Sequence, residues 1–381
     1  MVVNRFVQST TLSTAPSVIV FHQSEGVQAR LFELLMALMT GSKPKARRPG
    51  RSYFPLNHPP CATFIDVHRL NSVGTGTPSM KRRVFLPTPQ ARFTGEFGHI
   101  MMDGVNLSDG LERSHALESS DIMVLDGHRI SEEQAEPLVQ QAQCLGVPVV
   151  VLDYGDVPQN VSLAGMPGIS HWFKRSTVHR GHDIAPQLLD YDLPWSHITY
   201  CVREDTRRAF EALPDMERDI EVACFHDSEL IGSPGQHRRG QVAATLKRHL
   251  PGLARHHVGH VGKRGAEGRN AVSMEYIRGL ARARILVTCQ PDRWEGDYRL
   301  FEALACGPMV LCDRMLRPPK GLVDGEHFVF YDGLDDLMDK LRHFLDDGAA
   351  CNRIASRGRA EALNSHRASH RMEAVCRKVL S

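Results

Sequence analysis

Apolar residues in this chain gather in short continuous runs that alternate with longer segments of helical periodicity. The runs at residues 17–21, 121–125 and 147–152 are apolar almost throughout, which is typical of strands buried on both faces of a sheet. Between them, residues 27–39 carry leucines at helical spacing. Strands that alternate with helices in this way predict an α/β fold with a doubly wound, Rossmann-like parallel sheet.

The second half of the chain repeats the pattern. Apolar runs at residues 219–225, 285–289 and 309–312 predict strands. Residues 236–250 and 274–283 read as helices between them. A chain of 381 residues is long for one domain and natural for two. We therefore predict two Rossmann-like domains, residues 1–200 and residues 201–381, with the hinge between about residues 183 and 218.

Residues 296–313 carry the clearest local signals. Asp297 is a suitable cap for a helix that begins at the next residue. Gly307 suits the left-handed position after the helix, and Pro308 cannot continue it. Arg299 and Glu302 lie three positions apart on this helix, so they share a face, where they could form an ordinary surface ion pair.

Composition argues against a nucleic-acid-binding, disulfide-rich or membrane-spanning protein. The chain is 42% hydrophobic and 24% charged, with a net charge of +2, which is ordinary for a soluble protein and does not indicate a nucleic-acid partner. The nine cysteines form no C-x-x-C pair, so reduced thiols are expected rather than disulfides or zinc ligands. The N-terminus lacks the apolar core of a signal peptide, and no apolar run could span a membrane. A cytoplasmic location is expected.

Two basic segments each allow two interpretations. Residues 42–60 are rich in Lys, Arg and Pro, which favours a solvated loop over an edge that attracts an anionic acceptor or membrane surface. Lys174 and Arg175 follow an aromatic pair. A solvent-exposed basic turn is the favoured interpretation there, and a phosphate clamp is the alternative.

Polar residues follow two of the predicted strands in the first half. Ligands usually bind at the carboxyl ends of the strands in open α/β sheets. Four side chains at these ends are therefore candidates for the acceptor side of a site, although each aspartate could equally cap the next helix. They are Asp126, His128, Asp153 and Asp156.

A family resemblance enters with the helix at residues 299–307. Its sequence RLFEALACG resembles the donor-site helix of GT-B glycosyltransferases, and in detail it is most similar to the spore-maturation (CgeB-type) members. The resemblance implies a nucleotide-sugar donor in the C-terminal domain, with Glu302 holding the ribose hydroxyls. Trp294 stands where those enzymes usually have a second Glu, and Glu295 lies one residue away.

The resemblance also implies the remaining site residues. Arg238 and Arg239, in a helix after the first strand of the second domain, match cations that face the donor diphosphate. Arg299 is the expected catalytic cation. An inverting enzyme would also need a base on the acceptor hydroxyl, for which His22, His128, Asp126 and Asp153 are equal candidates by their chemistry, whereas a retaining enzyme of this fold needs no such base. The other expected donor-binding residues are Lys263, Glu295, Gly296 and Tyr298.

No metal is expected in such a site. The triplet Asp190-Tyr191-Asp192 matches a metal motif of another glycosyltransferase fold, but it follows no apolar strand and is interpreted as a solvated turn. The expected function is sugar transfer from a nucleotide-sugar co-substrate, without a cofactor, to an unidentified glycan, protein or small molecule. A sugar-nucleotide epimerase and a non-catalytic sugar-nucleotide-binding protein remain alternatives, and Trp294 keeps the second one open.

Overall fold

The computed structural model describes residues 80–87, 95–127, 130–156, 163, 165–181, 187–188, 194–262 and 272–381. All of them belong to one compact unit. The strand and helix expected within residues 17–39, and the basic segment at residues 42–60, lie outside the described residues.

The first sheet has six strands, and every pairing in it is parallel. Its strand order is β2-β1-β3-β4-β5-β8. The strands are β1 (Arg82–Phe85), β2 (Leu111–Ser114), β3 (Ile122–Asp126), β4 (Val149–Asp153), β5 (Ile169–Lys174) and β8 (Trp195–His197). A small antiparallel pair, β6 (Val178–His179) and β7 (Gln187–Leu188), lies between β5 and β8 in the chain.

The second sheet has five parallel strands in the order β10-β9-β11-β12-β13. They are β9 (Ile220–Cys224), β10 (His256–Val258), β11 (Ala283–Thr288), β12 (Met309–Asp313) and β13 (Val329–Tyr331). Apolar clusters cover both faces of this sheet. The predicted pair of doubly wound parallel sheets is therefore confirmed, whereas the domain boundary at residue 200 stays a prediction.

Nine α-helices cover the sheets in the described residues. They are α1 (Gly95–Asn106), α2 (Glu132–Leu145), α3 (Glu204–Glu211), α4 (His237–His249), α5 (Met274–Arg282), α6 (Tyr298–Cys306), α7 (Gly333–Asp346), α8 (Gly348–Ser365) and α9 (Ala368–Leu380). Short 3-10 turns occupy Leu117–Ser119 and Ser228–Gly232.

Local sequence explains where these elements begin and end. Every residue of β3 and of β4 is buried, as expected for continuous apolar runs. Ser131 begins α2 with a capping box to Gln134, and Gly146 ends it with a φ of 69°, which is favourable only for glycine. The buried ends of β3 and β4 thus lead directly into loops at one edge of the first sheet.

The last helix returns to the first sheet's side of the molecule. Helix α9 packs against α1, and Ser108 donates a 2.6 Å hydrogen bond to Glu373. The chain crosses between the two sheets beside this helix, where the backbone of Val202 donates to the carbonyl of His366 at 2.8 Å. The two sheets are therefore joined by two adjacent passages of the chain.

Two further expectations concern cysteines and membranes. The eight cysteines among the described residues are all free thiols, and seven of them are buried. None of the helices in the described ranges is long and apolar enough to cross a membrane.

Candidate active site

Helix α6 forms as its sequence predicts. The carboxylate of Asp297 caps it by accepting a 3.2 Å hydrogen bond from the backbone of Arg299. Gly307 ends it in the left-handed region with a φ of 84°. Seven of its nine residues are buried, Glu302 among them, so this helix carries a carboxyl group into the interior.

Glu302 has one hydrogen-bond donor in the described part of the chain. The phenol of Tyr276, on α5, donates to its Oε2 at 3.0 Å. Burial raises the pKa of Glu302 to about 7, although the charges of Arg203 and Arg299 and the Tyr276 hydrogen bond oppose this shift. A carboxyl group is disfavoured in such a place unless something donates to it.

Arg299 contacts Asp297 rather than Glu302. Its Nη1 lies 3.5 Å from Asp297 Oδ1, and its guanidinium lies 5.0 Å from the centre of the Tyr298 ring. The surface ion pair considered from the spacing of Arg299 and Glu302 is therefore not what the structure describes. The Arg299 side chain stays 24% exposed, so it can reach a ligand.

Arg239 is a structural partner of α6. Its Nη2 donates to Asp297 Oδ2 at 2.5 Å, and its Nε donates to the carbonyl of Cys289 at 2.8 Å. Burial would raise the pKa of Asp297, but Arg239 and Arg299 hold it below its usual value. Arg239 thus fixes the cap of α6 instead of reaching solvent.

The N-terminus of α4 is already occupied by a carboxylate. Asp292 accepts hydrogen bonds from the backbones of His237 and Arg238, at 2.7 and 2.8 Å. Asp292 therefore satisfies these two N–H groups. The Arg238 side chain is 35% exposed and lies 3.7 Å from Asp313 Oδ2, so the side chain, and not the helix terminus, is available to an anion.

The loop between β11 and α6 is held from both sides. Gln290 Oε1 accepts a 2.8 Å hydrogen bond from the Gly296 backbone. From the first sheet, Arg175 Nη1 donates to the carbonyls of Glu295 and Gly296, at 3.2 and 2.5 Å. Gly296 has a φ of 98°, a conformation that side chains rarely adopt.

Lys174 and Arg175 are buried, so the expected solvent-exposed basic turn is wrong. Lys174 forms a 2.9 Å ion pair with Asp153 and donates to the carbonyl of Gly155 at 2.8 Å. Arg175 also pairs with Asp156. Because both cations are bound to protein groups, we assign them a structural role, holding the loops after β4 and before α6, rather than the role of a phosphate clamp.

Trp294 and Glu295 each have a protein partner. The Trp294 ring stacks on His179, with centroids 4.9 Å apart. The Glu295 carboxylate accepts from the backbones of Leu316 and Arg317, at 2.8 and 2.9 Å. Burial raises the pKa of Glu295, against the effect of these two hydrogen bonds. Its predicted contact with the donor stays a prediction.

The candidate bases Asp126 and Asp153 have different surroundings. Asp126 is buried at the end of β3. Asp153, at the end of β4, forms the buried pair with Lys174, and burial raises the pKa of its carboxyl although the charge of Lys174 opposes this shift. Three predicted sets lie outside the described residues: His22 and His128, Lys263, and the Asp190–Asp192 triplet.

A small cavity opens beside α6, between the two sheets. Residues from β8 and its following loop, from α6 and from the loop after β12 line it. They include His197, Thr199, Tyr200, Leu300, Phe301 and Arg317. Burial, together with the charges of Arg317 and Arg175, lowers the pKa of His197 to about 4, so this imidazole is neutral at pH 7.

Sequence reasoning missed three residues of the site. Tyr276 has helical periodicity but no signal of its contact with Glu302. Asp292 resembles any loop aspartate, and Arg180 reaches Asp313 at 3.2 Å across a long sequence separation. Each contact depends on tertiary packing. The described residues hold no cluster of three His, Cys, Asp or Glu side chains that could bind a metal.

Comparison with known proteins gives one family match. Residues 238–377 match the model of the family described as Glycosyl transferase-like. Comparison with curated proteins gives no significant match.

Several solved structures are similar in fold. An alpha-glucosyltransferase in complex with UDP-glucose and DNA containing an abasic site has a TM-score of 0.50 at 9% identity, over 80% of this chain and 100% of its own. A glycosyltransferase from Rickettsia africae ESF-5 has a TM-score of 0.47 at 8% identity, over 79% and 99%. Sucrose-phosphate synthase from Thermosynechococcus elongatus has a TM-score of 0.41 at 12% identity, over 79% and 99%.

The first of these likenesses, with the two parallel sheets, confirms the predicted GT-B fold. Residues 238–377 are similar to the glycosyl transferase-like family. The narrower similarity to the spore-maturation members stays a prediction.

Proposed function

We propose that this protein is a metal-independent glycosyltransferase that binds a nucleotide-sugar donor at the carboxyl edge of the second sheet. The acceptor enters from the side of the first sheet. The donor is a co-substrate, and no resident cofactor takes part. Two observations support this: the similarity of residues 238–377 to the glycosyl transferase-like family, and the side chains that surround α6.

The state of Glu302 carries the proposal. Its Oε2 accepts one phenolic hydrogen bond, while its Oε1 has no donor in the described residues. A buried carboxylate gains most from hydroxyl groups that donate to it, since a hydrogen bond to a charged group is worth about 1.5–3 kcal/mol. A ribose diol supplies two such donors, which supports Glu302 as the group that holds the nucleotide.

Two partly exposed cations suit the leaving group. Sugar transfer builds negative charge on the departing diphosphate, and preorganised cations stabilise that charge. Arg299 and Arg238 are 24% and 35% exposed, and both lie near the second sheet's carboxyl edge. We assign Arg299 to the transition state and Arg238, with Lys263, to donor binding. Gly296 and Tyr298 complete the proposed donor side.

The acceptor side of the proposed site lies at the carboxyl edge of the first sheet. Asp126 is the described candidate for the base that takes the acceptor proton, because Asp153 is committed to Lys174. His128 is the second candidate. Replacing Asp126 with Asn should lower the rate with an intact donor affinity if it is the base.

Two measurements test the proposal. A thermal-shift screen should use nucleoside diphosphates and nucleotide sugars, beginning with UDP-glucose, which is bound to the alpha-glucosyltransferase of similar fold. A ligand at about 100 times its Kd stabilises a protein by roughly 2.7 kcal/mol. Release of nucleoside diphosphate should then be followed with acceptor candidates, including duplex DNA, since the absence of a nucleic-acid partner stays a prediction.

The variant Glu302→Ala decides whether the donor binds where we propose. It should lose the thermal shift while remaining folded. An unchanged shift would remove Glu302 from the donor site. Binding without turnover of any donor would favour the non-catalytic alternative, and isomerisation of the donor sugar would favour the epimerase.

A further inference from the structure

A buried imidazole at the second sheet has an unpaired nitrogen. His226 follows β9 by two residues and is 3% exposed. Its Nε2 is buried and has no hydrogen-bond partner in the described part of the chain. An unpaired polar atom costs stability in such a place, and a ligand that accepts its hydrogen bond would offset that cost.

Two arginine charges act on His226, and they outnumber the one Asp297 carboxylate that both arginines contact. Burial, and then the charges of Arg239 and Arg299, lower its pKa well below the usual value. The imidazole is therefore neutral at pH 7 and carries one N–H. Arg239 belongs to the first turn of α4 and Arg299 to the first turn of α6. A positive potential combined with a neutral N–H donor favours an anionic oxygen over a cation or an apolar group.

A second unpaired group lies at the same edge of the sheet. Thr288, the last residue of β11, is 1% exposed, and its Oγ1 is buried without a partner in the described residues. Strands β9 and β11 are parallel neighbours, so both groups lie where open α/β sheets bind ligands. Two unsatisfied polar groups at one strand edge indicate a polar ligand rather than a packing defect.

We propose that His226 donates an Nε2–H hydrogen bond to a phosphate oxygen of the bound donor, between Arg239 and Arg299. The inference rests on the proposed function for the identity of the phosphate, and on the buried, unpaired His226 and Thr288 side chains for the anion site. His226 then supplies a neutral donor. Arg299 supplies the charge.

Isothermal titration with inorganic pyrophosphate tests this without assuming a nucleobase or a sugar. His226→Leu removes the donor at similar volume and should weaken pyrophosphate binding at least about tenfold. His226→Gln keeps an N–H donor and should bind within about threefold of the wild type. The matched control is His257→Leu, because the Nε2 of His257 is also buried and unpaired but lies on the neighbouring edge strand β10. The affinity of His257→Leu for pyrophosphate should equal that of the wild type.

Thermal unfolding of the free proteins separates a ligand-binding role from a structural one. His226→Leu should unfold at the same temperature as the wild type or higher, since it removes an unsatisfied buried nitrogen. A lower unfolding temperature with unchanged pyrophosphate affinity would overturn the inference. Failure of the wild type to bind pyrophosphate would overturn it as well.

The outcomes distinguish this inference from the proposed function. If the wild type turns over a nucleotide sugar and His226→Leu binds pyrophosphate normally, the function stands and the role of His226 fails. If pyrophosphate binding depends on His226 but no nucleotide sugar is turned over, the anion site stands and glycosyl transfer fails.

Discussion

Arg175 and Gly296 are joined across the two sheets by a 2.5 Å hydrogen bond from Arg175 Nη1 to the Gly296 carbonyl. Arg175 follows β5 of the first sheet and is 1% exposed, and Gly296 immediately precedes the cap of α6. A Cβ at position 296 would lie 3.3 Å from Arg175 Cγ. The conformation of the loop that leads into α6 therefore depends on a side chain from the first sheet.

Replacing Arg175 with Ala should destabilise the protein and weaken donor binding together. The change leaves the carbonyls of Tyr154, Glu295 and Gly296 without the donor they now share. We expect a loss of about 3 kcal/mol in the free energy of unfolding, measured by urea denaturation. Donor affinity should fall too, because the loop before α6 loses its anchor.

Arg314→Ala is the control for removing an arginine. Arg314 forms an ion pair with Asp332, but both side chains are more than half exposed. Exposed pairs contribute about 0–1 kcal/mol. Equal losses of stability in the two variants would contradict the role assigned to Arg175.

Glu302 should make stability depend on pH. Its folded pKa of about 7 lies above its ordinary value of 4.5. Below pH 4.5 the carboxyl is protonated in both states and carries no penalty. As the pH rises towards 7, the unfolded chain ionises first, and the folded protein loses about 3 kcal/mol. Glu302→Gln lacks this loss. Urea denaturation should therefore show that the free energy of unfolding of Glu302→Gln, relative to the wild type, is higher at pH 8 than at pH 5.

Tyr276→Phe refines the same measurement. The phenol of Tyr276 stabilises the ionised carboxylate of Glu302. Its removal should move the pH dependence to higher pH while leaving Glu302 in place. If Glu302→Gln and the wild type differ by the same amount at pH 5 and pH 8, the carboxyl is not titrating in this range.

Gly104→Ala should destabilise α1, against helix propensity. In an exposed helix this change gains about 1 kcal/mol. Here a Cβ would lie 2.2 Å from Met372 Cγ and 2.8 Å from the carbonyl of Ala368. Moving α9 away should cost about 2 kcal/mol in thermal unfolding. Gly110→Ala is the control, since only Ser108 Oγ lies within 4 Å of its Cβ position, at 3.9 Å.

Chelation should leave the transfer rate intact. The proposed leaving-group stabilisation uses arginine side chains, so EDTA should change the rate of nucleoside diphosphate release by less than about twofold. Adding Mg²⁺ or Mn²⁺ afterwards should not increase it. Complete loss of activity in EDTA, with recovery on adding metal, would refute a metal-independent reaction.

Local patterns predicted most of the second sheet and its helices. The cap at Asp297, the stop at Gly307 and the run at Met309–Asp313 depend on residues a few positions apart. Their physical causes are contained in the short segment itself. The capping box of α2 has the same local origin, because Ser131 and Gln134 are three positions apart.

The partners of buried charges could not be predicted in this way. Lys174 and Arg175 resemble a solvated turn because lysine and arginine usually lie at the surface. Their actual partners, Asp153 and the carbonyls of residues 295 and 296, come together only when two sheets have formed. Similarly, Glu302 was identified from a resemblance, whereas Tyr276, which holds its carboxyl, was not identified at all.

The position of α9 has a consequence for how the chain folds during synthesis. The first sheet and α1 are complete in sequence long before the ribosome reaches Ala368, yet the surface of α1 at Gly104 is covered by Met372. That surface stays uncovered until the final helix has been translated. The first sheet and α1 are therefore synthesised well before the helix that packs on them. A fragment that stops at residue 200 lacks α9, so its α1 surface at Gly104 stays exposed.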